Sequence, residues 1–184
     1  SMVRAALASI QQAQREGKPR LIELSGPPQS GKTHLAEMLA AALGQPLLCL
    51  DLAAVPRGQL AVALADLWRE ARLQGALAML QHLDMVVLGG VPLQSAEDPE
   101  RPPQSGPRRL PEELSAVLSP TGLQALGGPL LVSSQEREAL LSRQGLSLWH
   151  VTVAFPSPAQ RARLMDQALC TAGVPESERD PDVD

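Results

Sequence analysis

Eight consecutive residues carry the strongest chemical signal in this chain. Gly26-Pro27-Pro28-Gln29-Ser30-Gly31-Lys32-Thr33 fits G-x-x-x-x-G-K-[ST] without a mismatch. Gly26 and Gly31 let the chain wrap and let its backbone approach an anion closely. The N–H groups of the wrapped loop form a concave nest suited to phosphate. Lys32 sets a point charge against the β and γ phosphates of a nucleotide. The Thr33 hydroxyl is a hard oxygen suited to one position around Mg²⁺. A helix beginning at Thr33 would aim its positive dipole end at the same anion.

Such a loop works only between a strand and a helix, and the flanking sequence predicts both. Leu21 to Leu24 reads as a short buried strand, and Thr33 to Leu43 as a helix with Leu35, Met38, Leu39, Ala42 and Leu43 on one face. A helix over residues 2–16 comes before them. After them the pattern alternates: strands at 47–50, 76–80, 130–132 and 146–155, and helices at 57–73, 111–118, 135–144 and 159–172. Continuously apolar strands alternating with helices predict an α/β fold, a parallel sheet covered on both faces. Residues 92–111 hold six prolines among charges and serines, and read as a flexible insertion. The expected organisation is an N-terminal helix with a leading remnant (1–19), a nucleotide-binding domain (20–172) and an acidic tail (173–184).

Charge and composition narrow the partners. The 184 residues carry net −4, and residues 176–184 account for all of it, with five acids against Arg179. The neutral remainder argues against a nucleic-acid binder, which needs a basic face. One Phe, two Trp and no Tyr leave almost nothing to stack on bases. Cys49 and Cys170 lie far apart in apolar segments and read as buried free thiols. No apolar run approaches the roughly 20 residues of a membrane span. Ser1 precedes Met2 and no signal peptide follows, so an intracellular setting is expected, cytoplasmic or an organelle interior. His34, His82 and His150 lack zinc-ligand spacing, and no serine sits in a nucleophile elbow. Trp68 and Trp149 read as core or interface anchors.

Gly26 to Thr33, continued by His34-Leu35-Ala36-Glu37, resembles the GPPGxGKT-x-LA segment of AAA+ ATPases. Leu47 to Asp51 resembles that family's second strand. Gly75 to Asp84 lines up with its Walker B segment, Leu130 to Gln135 with the fourth strand and its sensor 1 residue, and Val151 to Arg163 with the fifth strand and the following helix. The resemblance implies a three-layer αβα sandwich with a five-stranded parallel sheet in the order 5-1-4-3-2. It also implies ATP or ADP with Mg²⁺ at residues 26–33, and ring neighbours, homo- or hetero-oligomeric, or another protein partner.

The departures fall on the catalytic positions. Where the family has Asp and Glu, this chain has Gln81 and His82. A neutral amide does not replace a carboxylate beside Mg²⁺, although a histidine can accept a proton from water. Asp51 and Asp84 compete for the metal role, with Asp84 reading as too far along the chain. Arg143 is the nearest match to the family's arginine finger and Arg137 the second; the helical lid is missing. The expectation is an AAA+-like domain of a protein-remodelling or assembly ATPase, with weak or absent hydrolysis on its own. The alternative is a non-enzymatic nucleotide-binding scaffold or adaptor. A small-molecule kinase would need an Arg-rich lid and an acceptor pocket, and neither is visible.

Overall fold

The computed structural model describes residues 2–16, 20–56, 58–87, 109–138, 141, 147–171 and 173. The chain divides into two compact units, Ser1–Val153 and Ala154–Asp184. The first contains β1 (Arg20–Ser25), β2 (Leu47–Asp51), β3 (Leu77–Gln81), β4 (Leu130–Ser134) and β5 (Ser147–Thr152). They pair in parallel in the order β2-β3-β4-β1-β5, which is the expected 5-1-4-3-2 read from the other edge.

Alternation along the strands separates two apolar cores. Leu21, Ala78, Leu80, Leu130 and Val132 face α3 (Leu60–Gln74), α4 (Glu112–Val117) and α5 (Pro120–Leu126), whose Leu64, Leu67, Leu114 and Leu123 fill that side. Ile22, Leu24, Leu77, Met79 and Leu131 face α1 (Met2–Arg15) and α2 (Lys32–Leu43), which bury Ala6, Ile10, Ala36 and Leu39. The result is the expected three-layer sandwich, with helices on both faces because both faces are apolar. Trp68 and Trp149 pack against the two cores, one on each side, and the Trp68 indole N–H donates to the Gly122 carbonyl.

The structure corrects several expectations. Residues 135–138 are irregular chain rather than the start of a helix, and most of the remainder of that expected helix lies outside the described residues. α5 has no counterpart in the sequence reading. Its signal is the capping residue: Ser119 accepts the Gly122 N–H at 3.0 Å, with Pro120 in the first turn. Cys49 and Cys170 are exposed, not buried. Cys49 lies on β2, an edge strand with one neighbour, and edge position rather than hydrophobicity sets its exposure. Of the proline-rich stretch 92–111, only residues 109–111 are described.

The second unit holds α6 (Pro158–Thr171). Its start is a reciprocal cap: Ser157 N–H donates to Gln160 Oε1 at 2.8 Å, and Gln160 N–H to Ser157 Oγ at 3.3 Å. Among the described residues, no helix is long and apolar enough to cross a membrane.

Candidate functional site

The loop after β1 is held by the sheet itself. Gly26 N–H donates to the Gln135 carbonyl at 3.0 Å, and Val153 N–H to the Ser25 carbonyl at 2.7 Å. This draws Gly26 so close to β5's exit that a Cβ there would lie 2.1 Å from the Val153 carbonyl oxygen. Only glycine fits. Gly31 reverses the chain into α2 with φ 94°, a left-handed conformation that side chains disfavour. Gln29 adopts φ 62° in the same turn. Two left-handed residues so close together turn successive N–H groups toward one side, the geometry of an anion nest.

The Lys32 ammonium folds back over this loop and donates to the Gly26 and Pro27 carbonyls at 2.6 and 2.8 Å. Partial burial lowers its pKa, and the negative charge of Asp84 works against that shift. A cleft of about 600 Å³ opens over the loop, within the usual size of a small-molecule site. Pro28 to Thr33 line it from the loop; Gln81, His82 and Asp84 from the end of β3; Ser133, Ser134 and Gln135 from the end of β4. The cleft therefore sits at the carboxyl ends of adjacent parallel strands, where open α/β sheets bind ligands.

At its floor Gln81 donates from Nε2 to Thr33 Oγ1 at 3.0 Å. The amide thus occupies the Thr33 hydroxyl. His82 has φ 57°, a left-handed conformation in a non-glycine residue. Its Nδ1 lies 2.7 Å from Asp51 Oδ1, joining the ends of β2 and β3. Burial pushes the Asp51 carboxyl up, but the hydrogen bonds from His82, Ala53 and Ala54 outweigh it and hold the pKa below its ordinary value. Asp51 does not line the cleft. Asp84 does. The left-handed turn at His82 leads into a 3₁₀ turn, Leu83–Met85, that brings Asp84 back over the loop, so distance in sequence misjudged its reach.

Sequence reasoning missed Glu23, which it read as part of an apolar run. Glu23 sits mid-β1 and is 0% exposed. Its Oε1 accepts the Glu138 N–H and the Ser134 hydroxyl, and its Oε2 has no hydrogen-bond partner among the described residues. Burial raises its pKa, against the pull of the Glu138 N–H, His150, Arg137 and Ser134. On the neighbouring strand, His150 Nε2 lies 2.7 Å from Ser25 Oγ. The polar patch therefore lies directly behind the β4 residues that line the cleft.

Arg143 lies outside the described residues, and Arg137 is exposed at the exit of β4. Among the described residues, no arginine lines the cleft and no three acidic, histidine or cysteine side chains cluster as a metal cage. Thr33 with a nearby carboxylate still fits Mg²⁺, which is commonly held by one or two carboxylates plus phosphate oxygens and water.

No protein-family model matches the chain, and no curated protein does. Among solved structures, the crystal structure of the FIGL-1 AAA domain in complex with ADP superposes with a TM-score of 0.58 at 18% identity. The match covers 83% of this chain and 49% of that one, so the chain spans about half the length of the structure it resembles. At that identity the likeness is one of fold alone: a five-stranded parallel sheet with flanking helices, here in the order β2-β3-β4-β1-β5.

Proposed function

We propose that this chain is an AAA+-like nucleotide-binding module that takes ATP or ADP with Mg²⁺ at residues 26–33, with weak or absent hydrolysis on its own. The observation that carries the reading is the loop: an intact glycine-gated nest with Lys32 folded over it, beneath a cleft of nucleotide size. On binding, the β and γ phosphates would take the place of the Gly26 and Pro27 carbonyls as partners of the Lys32 ammonium. The loop N–H groups and the start of α2 would supply the remaining donors. Thr33 Oγ1 would turn from Gln81 toward the cation, which supplies charge neutralisation for the phosphates. The FIGL-1 AAA domain was solved with ADP, which supports the ligand class.

Weak hydrolysis follows from the groups at the end of β3. Gln81 is neutral, and His82 is tied to Asp51 at 2.7 Å through one ring nitrogen. Without an arginine from a neighbour, a further factor of roughly 10³–10⁵ in rate is absent. The larger setting would be a protein-remodelling or assembly machine with ring neighbours. A scaffold or adaptor that binds nucleotide without turnover is the second reading, and the Gln81–Thr33 hydrogen bond favours it.

Calorimetric titration with ADP and ATP tests the binding. Lys32→Ala should weaken affinity by about 2–3 kcal/mol, the worth of a charge-assisted contact. Unchanged affinity in that variant refutes the assignment. Phosphate release measured alongside tests the second reading: measurable turnover by the isolated chain refutes the scaffold.

A further inference from the structure

A nucleotide's phosphates and their divalent cation call for hard, negatively charged oxygen facing the cation's outer coordination positions. Three side chains near the ends of β2 and β3 are candidates. Gln81 lines the cleft but is neutral. Asp51 is charged but turned away: its Oδ1 engages both His82 Nδ1 and the Ala53 N–H, and it does not line the cleft. Among the described residues Asp84 alone is a carboxylate in the cleft, which it shares with Lys32 and Thr33.

Its placement is built rather than incidental. Leu83 beside it is fully buried in the core and anchors the turn. Met85 N–H donates to the His82 carbonyl at 3.0 Å and closes it. His82 holds a left-handed conformation at its start. Within this fixed turn, Asp84 Oδ1 is out of contact with solvent and has no hydrogen-bond partner among the described residues. Buried carboxylate oxygens are normally satisfied, so Asp84 is a cleft carboxylate whose hydrogen-bonding capacity the described residues leave partly unused.

We propose that Asp84 supplies the carboxylate that faces the divalent cation of a bound nucleotide, the role that Gln81 cannot fill. The proposal rests on the nucleotide reading above and makes the metal half of the site functional despite Gln81. The negative charge that Lys32 senses from Asp84 places the carboxylate within electrostatic range of the phosphate-binding group. Such a position would repel a bare nucleotide and attract one carrying its cation. Asp84 therefore selects the metal-bound form.

The test compares ADP affinity in Mg²⁺ and in EDTA, on the 184-residue chain, by calorimetry, with thermal melting as a check on folding. In the parent, Mg²⁺ should tighten binding about tenfold or more, the scale of one charge-assisted contact. Asp84→Asn should bring the two affinities together by weakening the Mg²⁺ arm and tightening the EDTA arm. Asp84→Glu should keep most of the Mg²⁺ gain, and Gln81→Ala, which frees Thr33 Oγ1 for the cation, should enlarge it. The proposal is overturned if Asp84→Asn retains the full gain, or if it weakens both arms equally, as loss of a structural group would. If Asp84→Asn does not fold, the Asp84→Glu and Gln81→Ala pair decides: loss of the gain in Gln81→Ala overturns the proposal. A parent that binds ADP equally in both media overturns it and leaves the nucleotide reading standing. A parent that binds no nucleotide in either sinks both.

Discussion

Replacing Glu23 tests whether the buried carboxylate behind the cleft is a structural acceptor or a stored charge. The side chain is 0% exposed, and its Oε1 accepts the Glu138 N–H while Oε2 has no hydrogen-bond partner among the described residues. Glu23→Ala strands that N–H in the interior. An unsatisfied buried donor costs about 1–3 kcal/mol, and at about 2–4 °C per kcal/mol for a domain of this size the melting temperature should fall by roughly 2–12 °C. Glu23→Gln keeps a carbonyl oxygen for the same N–H and removes the charge, so it should melt within a few degrees of the parent near pH 5 and above it at pH 8. The pH dependence fixes the sign. Burial raises the Glu23 pKa above its ordinary 4.5, so the folded chain holds this proton more tightly than the unfolded one. That contribution is complete below 4.5 and is lost as pH rises through the folded-state value. Asp51 works in the other direction and in another window: its pKa lies below the ordinary 3.8, and its contribution is lost only as pH falls past that point. Melting curves of parent and Glu23→Gln across pH 4 to 8 should therefore diverge as pH rises. Parallel curves would show that Glu23 is not titrating in the fold, and a Glu23→Gln variant several degrees less stable at pH 8 would refute the stored-charge argument.

Two further perturbations address the loop and the end of β3. Gly26→Ala drives a Cβ to 2.1 Å from the Val153 carbonyl, and overpacking against backbone costs about 1–3 kcal/mol or more; thermal melting should show the loss, and unchanged stability would mean the β5 exit moves freely. Gln81→Asp with His82→Glu should raise phosphate release only when Asp51→Asn is added, because His82 lies 2.7 Å from Asp51 and a glutamate there would face a like charge. Equal turnover in the double and triple variants would show that Asp51 does not control that position.

What could be read from the sequence divides by how far apart the determinants lie. The turn after β1 was legible because its residues are consecutive and its glycines answer local backbone demands: Gly26 for close approach and Gly31 for a left-handed turn. The sheet and its order were legible because apolar runs alternate with amphipathic ones and the loop's neighbours carry a family resemblance. Glu23 was not legible, for a physical reason. One acid within Leu21-Ile22-Glu23-Leu24 reads as noise in an apolar run until strand register sets it opposite His150 and Val132 and beside the Glu138 N–H. Those partners are more than a hundred residues away in sequence.

Asp84 was hidden by a different effect. Counting along an extended strand puts it three residues past Gln81, beyond reach of the loop, because a strand advances about 3.3 Å per residue. The strand ends at Gln81, however, and His82 takes a left-handed conformation that converts the next three residues into a 3₁₀ turn. In such a turn the chain rises only about 2 Å per residue and reverses direction, so a side chain that counting places beyond the cleft is carried back over it. The conformation of a single non-glycine residue thus decides which acid faces the cleft. Composition and spacing carry no signal for it, since His82 reads in sequence as a substituted catalytic position and in the fold also acts as a hinge that sets the direction of Asp84.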